Sequence, residues 1–445
     1  MTSARLTARR SLRVPRIASC AARVARLLLV LSLLASRALP AQSRADRRTP
    51  ERRTPESSIG RCVDPKAIEM PARLGDGTTL YVEQETVVPQ SDGRVLVAGE
   101  PVFQWRQTSA GAELVAQDSL IGMVITPPST VRAVISPLPG RSLASMRSVA
   151  LPDGWWLVTF AEVVPVQLPK HPKVLAVWAG ETDGMNWRAV ERLPSVPDSL
   201  YISTYSPSAL ASRDGRVLLA LQSVRDDQPR VVLYSRGAEG WSAKSIFVGR
   251  RAYVAATVTE SHELLAVVRN DSTEREDVNS LFLYARPRGD TTWTEKVRLV
   301  RGFRSPVYDP LFDAHDAGVL LTWRVTSQDA RETTAWSAEL SPLGDTIGPI
   351  RQFASDARLV YHAPRGNRGV WVTTNDERPL DRFQLIEHDA RSIPTAVSES
   401  STPYGGVLGA ALTMDFLVVV ASRRGASPDE PAVISLIRSF PWRCH

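Results

Sequence analysis

One pattern recurs along this chain and limits what it can fold into: a short polar turn followed at once by five or six residues of β-branched and large apolar type. Asp92-Gly93 precedes RVLVAG, Asp153-Gly154 precedes WWLVTF, Asp214-Gly215 precedes RVLLAL and Ser261-His262-Glu263 precedes LLAVV. Asp316-Ala317-Gly318 then precedes VLLTW, Gly366-Asn367-Arg368-Gly369 precedes VWVTT, and Met414-Asp415 precedes FLVVVA. Asp-Gly is the strongest hairpin signal among them, because a type I′ turn needs positive φ at both central residues. The turns recur about every 54 residues, near the ~40–50 residues of a propeller blade repeat.

The clearest unit is residues 206 to 248, in which an apolar run, the Asp214-Gly215 turn, a β-rich run, a charged loop, a second β-rich run, a Gly-containing turn ending in Trp241 and a last strand follow one another. That grammar is four antiparallel strands. VLAVWAGETDGMNWRAV, VVLYSRGAEGWSAKSI and LFLYARPRGDTTWTEKV repeat its second half, each with a Trp just after a polar turn. Helical periodicity and cap signals are almost absent. An all-β propeller of seven four-stranded blades follows, since stacking blades round an axis buries both faces of each sheet and leaves only short edges. Six or eight blades stay open, because an atypical stretch from Gly122 to Arg141 separates the first two units.

Counting strands places the two downstream cysteines. The seventh unit has its Met414-Asp415 turn, two β-rich runs and then stops at Cys444, one strand short. Residues 63 to 70, left over before the first unit, can supply that strand, so a Cys62–Cys444 disulfide would stand in for the missing turn and latch the ring.

Residues 1 to 26 are Arg-rich and acid-free, residues 27 to 35 read LLLVLSLLA, and small-residue cleavage options follow. This has the form of a signal peptide over 1–41, and its apolar core is shorter than the ~20 residues of a membrane-spanning helix. An exported protein, periplasmic or secreted and not membrane-spanning, is expected, and that compartment permits the disulfide. Without 1–41 the formal charge falls from +7 to −1, so the charge gives no reason to expect a nucleic-acid partner. Residues 42–58, with tandem RRTPE, read as a disordered Arg/Pro-rich tether. The propeller domain is then 59–445.

The turn segments Thr182-Asp183-Gly184-Met185-Asn186-Trp187, Gly237-Ala238-Glu239-Gly240-Trp241 and Gly289-Asp290-Thr291-Thr292-Trp293 resemble degenerate Asp-box motifs of sialidase-like (BNR-repeat) propellers. The resemblance covers most of residues 62 to 444 through its repeats. It implies that the Asp side chain bonds the turn backbone, that the Trp covers the hairpin base, and that these residues lie on the face opposite the active site. Sialidases proper also carry an early Arg-Ile-Pro motif; the nearest match here, Phe303-Arg304-Ser305-Pro306, sits mid-chain with Ser for Ile.

Ligand candidates come from aligning the units. Tyr205, Tyr253, Tyr308 and Tyr404 each fall about eight to ten residues before a first turn, and Tyr361 about eight before Gly369 at the end of its turn, which sets them at the far end of the innermost strands, round the channel mouth, where rings with polar tips suit a sugar or peptide. Glu100, Gln222, Arg269, Arg324 and Asn375 end the second strands and would form an outer ring of directed hydrogen-bonding groups. The structural alternative is that the tyrosines wedge between blades. Catalysis would need carboxylates: Asp309 beside Tyr308, and Asp313, paired with Glu100 or Glu162 as glycoside hydrolysis requires. No HExxH, Cys-x-x-Cys, G-x-S-x-G or phosphate loop occurs, so neither a metal nor a cofactor is expected. The reading that follows is non-catalytic recognition of a glycan or an extracellular or envelope protein ligand. A sialidase-like exo-glycosidase and an envelope or secreted scaffold are the alternatives.

Overall fold

The structure is a computed structural model. It describes residues 62–444 apart from 65, 71–84, 100–102, 109–110, 117–119, 142, 165–172, 196–208, 226–227, 248–251, 271–278, 304–306, 316–317, 328–332, 356–358, 366–367, 375–381, 390–392, 402–406 and 424–432. The segments read as signal peptide and tether lie outside the described residues. Residues Ile59–His445 form one compact unit.

The fold is a seven-bladed β-propeller. After β1 (Ile68–Met70), blade I runs β2 (Glu85–Pro89), β3 (Val95–Gly99), an inserted hairpin of β4 (Phe103–Thr108) and β5 (Gly111–Ala116), then β6 (Leu120–Thr126) and β7 (Thr130–Ile135). Blade II is β8 (Leu143–Ala150), β9 (Trp156–Val164), β10 (Lys173–Thr182) and β11 (Trp187–Arg192). Blade III is β12 (Ala209–Arg213), β13 (Arg216–Arg225), β14 (Gln228–Gly237) and β15 (Gly240–Phe247). Blade IV is β16 (Ala252–Val258), β17 (His262–Asn270), β18 (Asn279–Pro287) and β19 (Thr294–Phe303). Blade V is β20 (Val307–His315), β21 (Gly318–Thr326), β22 (Thr333–Leu340) and β23 (Arg351–Ala354). Blade VI is β24 (Leu359–Arg365), β25 (Arg368–Thr374), β26 (Arg382–His388) and β27 (Pro394–Ser401). Blade VII is β28 (Val407–Leu412), β29 (Phe416–Arg423) and β30 (Val433–Pro441), completed by β1.

The first strands β2, β8, β12, β16, β20, β24 and β28 adjoin one another in that order, and β28 returns to β2, so they form the inner wall. The second strands read as apolar runs because neighbouring blades cover both of their faces. Val217, Leu218, Leu219, Ala220 and Leu221 are all buried, alternate residues packing toward blades II and IV. The Gly122–Arg141 stretch that left the blade count open is β6, β7 and the loop to blade II. The true insertion is the β4–β5 hairpin, between the second and third strands of blade I.

Turn chemistry matches the residues. Asp214 and Gly215 both have positive φ, 53° and 75°, as a type I′ turn requires. At Asp92-Gly93 and Asp153-Gly154 only the glycine is left-handed, and the bonds Gln90 N to Arg94 O and Leu151 N to Trp155 O close longer loops. In the Thr182–Trp187 turn, Asp183 Oδ1 accepts from the amides of Met185 and Asn186, and in the third of the Trp turns Asp290 Oδ1 accepts from Thr291 and Thr292. Ser341 Oγ plays the same part for Leu343 and Asp345 in blade V, a turn without a Trp.

The ring closes as the strand count required. β1 pairs antiparallel with β30, from Ile68 opposite Ser439 to Met70 opposite Ile437, and Cys62 is disulfide-bonded to Cys444. Closing a loop of 382 residues is worth at most about 6 kcal/mol in the chain-entropy model. Glu387 of blade VI adds a second fastening: its carboxylate accepts from the amides of Cys62 and Val63 at 2.9 and 3.1 Å. Arg443 pairs with Asp64 and donates its amide to the Cys62 carbonyl.

Candidate functional site

Two groups of chemistry-bearing side chains lie on the strands of blades IV to VI. The first lies where the first strands begin and the second strands end, the end of the ring away from the turns just described. Tyr253 and Tyr308, near the starts of β16 and β20, meet edge to face with ring centroids 5.5 Å apart. Arg324 stands directly across from Tyr308 in the β20–β21 ladder. Arg269, on β17, lies over the Phe282 ring at 4.8 Å. Tyr361 on β24 donates its hydroxyl hydrogen to the Val407 carbonyl of blade VII at 2.9 Å, so this tyrosine spans a seam. Tyr205, Tyr404, Glu100 and Asn375 lie outside the described residues, and of Gln222 and Asp309 only the backbone is described, on β13 and β20. Glu162 is taken up within blade II, accepting from Arg141 and from Trp178 Nε1.

The second group lies further along the same strands, in the seam between blades V and VI. Its origin is a β-bulge. Tyr308 pairs with Arg324 but Leu311 pairs with Thr322, so Asp309 and Pro310 together oppose one residue. Proline lacks the amide that a regular ladder would need there. The extra residue shifts the alternation of faces: Phe312 packs back toward blade IV, while Asp313 turns toward blade VI. Asp313 Oδ2 lies 3.8 Å from His362 Nδ1 on β24. His362 Nε2 is hydrogen-bonded to His388 Nε2 of β26 at 2.8 Å, and His388 Nδ1 donates to the Asp389 carbonyl at 2.9 Å.

Between β24 and β26 runs β25, and it makes room for the two rings by having no side chain at Gly369. A Cβ there would lie 2.5 Å from His388 Nε2 and 3.0 Å from His362 Nε2. Two residues on, the buried Trp371 stacks on His388 at 4.0 Å between centroids and on Phe353 of blade V at the same distance. Leu320 and Ile386 complete the wall. Burial in this setting pushes the Asp313 carboxyl up to about 7, because a dry surround penalises the charged form.

Sequence reasoning singled out Asp313 but paired it with carboxylates of other blades. The partners found here are histidines. His362 and His388 gave no signal because they are 26 residues apart and have no ligand spacing; only the β24–β25–β26 register brings them together. On the turn side of the ring, arginines that no local pattern singles out reach the neighbouring blade. Arg94 donates to the Asp183 and Gly154 carbonyls of blade II, Arg216 to the Thr259 and Glu260 carbonyls of blade IV, and Arg365 to the Thr413 and Met414 carbonyls of blade VII. Each guanidinium supplies several donors to turn carbonyls that have no ladder partner.

Fold and site together define a seven-bladed propeller with two groups of polar side chains on the strands of blades IV to VI. No family model matches the chain, and no curated protein sequence matches it. Among solved structures, it is similar to an α-L-arabinofuranosidase of Fusarium graminearum at 11% identity and a TM-score of 0.43, over 67% of this chain and 92% of that one. It is likewise similar to the six-bladed fucose-recognising lectin of Aleuria aurantia, at 10% identity and 0.42, over 74% and 98%. A third likeness is to the sialidase of Trypanosoma rangeli, at 10% and 0.39, over 80% and 60%. At these identities every functional residue has to be argued from this chain itself.

Proposed function

We propose that this protein is an exported propeller that recognises a glycan, without catalysis, at the mouth formed by the first strands of blades IV and V. The single observation that carries the reading is the Tyr253–Tyr308 edge-to-face pair with Arg324 opposite Tyr308. An aromatic face beside a guanidinium offers a sugar ring a stacking surface and its hydroxyl or carboxylate groups directed donors. Tyr205, Tyr404, Gln222, Asn375 and Glu100 would extend this mouth round the ring, and Arg269 would flank it. Export is supported by the Leu-rich run near the amino terminus and by the disulfide, with 1–41 as the leader and 42–58 as a tether ahead of a propeller over 59–445. The Asp183 and Asp290 turns support a sialidase-like ancestry.

A second reading, an exo-glycosidase, is favoured by one observation: a carboxyl on the inner wall, Asp313, that holds its proton up to about pH 7, as a general acid must. Hydrolysis would need a second carboxylate at roughly 5 to 9.5 Å, with Asp309 or Glu100 as the candidates and Tyr308 as an alternative nucleophile. Glycan-array binding and a turnover screen on the chain from residue 42 onward separate the readings. Saturable binding that is lost in Tyr308→Ala/Arg324→Ala, in a variant whose melting curve is unchanged, supports recognition. Release of a terminal sugar supports hydrolysis. Neither signal would sink both and leave a scaffold role.

A further inference from the structure

The Asp313, His362 and His388 contacts constrain one another through proton count alone. A carbonyl oxygen only accepts, so His388 Nδ1, bonded to the Asp389 carbonyl, carries a hydrogen. A neutral His388 therefore presents a bare Nε2, and His362 Nε2 must donate across the 2.8 Å contact. If His362 is neutral, its Nδ1 is then bare and faces Asp313.

The three groups can hold different numbers of protons, with different consequences. With three protons among them the net charge is zero and both ring hydrogen bonds have a donor and an acceptor, either with an Asp313 carboxyl beside two neutral rings or with an Asp313 carboxylate 3.8 Å from an imidazolium. With two, the two ring hydrogen bonds can both stay made only if a buried Asp313 carboxylate faces the bare Nδ1 of His362 at 3.8 Å; the other tautomers set two ring lone pairs against each other or take the donor from the Asp389 carbonyl. With both rings doubly protonated, two N–H groups meet head-on. A buried charge without a counter-charge is costly, and at these distances the groups titrate as a unit.

We propose that Asp313, His362 and His388 are one proton-binding unit that ties the inner strand of blade V to blade VI, so that the seam is tight while the unit holds three protons and loosens when it loses one. Burial of Asp313 favours the three-proton state near neutrality. Among the described residues, other charged groups at strand positions of the two facing surfaces are Arg324, Glu339 and Arg351 from blade V and Arg382 and Glu399 from blade VI, the last bonded to Gln384. Glu387 and Arg368 lie on the opposite face of blade VI, where they contact Cys62. The remaining wall, Leu320, Phe353, Trp371 and Ile386, is apolar. Tyr308 and Tyr361 stand on the same two strands, but the proposal does not depend on what they bind.

The test is a pH titration of the whole chain with ¹⁵N-labelled histidine, read by the ring nitrogens, in the native sequence, Asp313→Asn and His388→Gln. A shared titration step for His362 and His388, with the His362 midpoint displaced by about one pH unit or more in both variants, is the expected result. Hydrogen exchange in β20 and β24, corrected for intrinsic rates, should rise about tenfold between pH 6.5 and 8.5 in the native protein and less than about twofold in Asp313→Asn. Independent ring titrations, or exchange in the two strands that is the same with and without Asp313, would overturn the proposal. Asp313→Asn keeps the size of the side chain, so either result can be read on a folded protein.

Discussion

Toward blade VII, the sheet of blade VI presents Ala363, Val370, Val372, Phe383 and Leu385, which pack with Ala410, Leu412 and Phe440 beneath the Cys62–Cys444 disulfide. Toward blade V the same strands present His362, Gly369, Trp371 and His388. The two faces are built from neighbouring residues, since His362 precedes Ala363 and Glu387 precedes His388. One seam is held by apolar burial and by the buried Glu387 carboxylate, which reaches the Cys62 and Val63 amides beside the disulfide that closes blade VII. The other gives up apolar burial for three titratable groups in contact. Burial of hydrocarbon is indifferent to pH, whereas a buried carboxyl set against two hydrogen-bonded imidazoles is electrically neutral at only some proton counts. Blade VI is thus fixed firmly on one side and conditionally on the other.

Breaking the ring closure in blade VII, next to the firm side, should have the largest effect. Cys62→Ser/Cys444→Ser removes a constraint worth at most about 6 kcal/mol, and chemical denaturation of the double variant should show a loss of several kcal/mol, matched by the native protein in excess thiol. A loss under about 1 kcal/mol would mean that β1 and Glu387 close the ring unaided. On the conditional side the expected effect depends on pH. Burial raises Asp313 from its usual 3.8 to about 7, so the folded protein keeps a proton that the unfolded chain releases. The stability this adds is full below about pH 4 and is lost as pH rises through about 7, and Asp313→Asn should flatten that dependence by up to about 4 kcal/mol. Denaturant midpoints at pH 4.5, 6 and 8 for both proteins check the slope.

Smaller changes sharpen the contrast. Glu387→Ala leaves the amides of Cys62 and Val63 buried without their acceptor and should cost about 3 kcal/mol, while leaving the ring titration of His362 unmoved. Gly369→Ala should cost about 2 kcal/mol by overpacking and, unlike Glu387→Ala, should shift that titration by forcing the two rings apart. Tyr361→Phe removes one bond to the Val407 carbonyl, for about 1 kcal/mol. A larger loss would mark this tyrosine as a main tie between blades VI and VII.

The strand positions of three tyrosines were legible and the seam was not. Tyr253, Tyr308 and Tyr361 could be placed near the starts of inner strands because their distance to the next turn is a local count. Whether each faces the channel or a neighbouring blade was beyond that count, and Tyr361 turned out to bond across a seam. Asp313 drew attention as a carboxylate near Tyr308, yet its partners came from another blade. The arginines at the turns were overlooked for the same reason: Arg94, Arg216 and Arg365 serve the turn of the next blade.

What the sequence by itself determined is the all-β repeat, the four-stranded grammar of each unit and the ring closure, including the disulfide. These rest on local quantities: which residues tolerate positive φ, how long an apolar run is, and whether the last unit has its fourth strand. The tertiary structure settled the number of blades at seven by assigning Gly122–Arg141 to blade I. It alone decided which side chains meet between blades. One extra residue at Asp309-Pro310 reverses the faces of the rest of β20, and the missing side chain at Gly369 leaves space for two rings from strands on either side. Alternation along a strand names two faces, but only the packed neighbour says what each face meets.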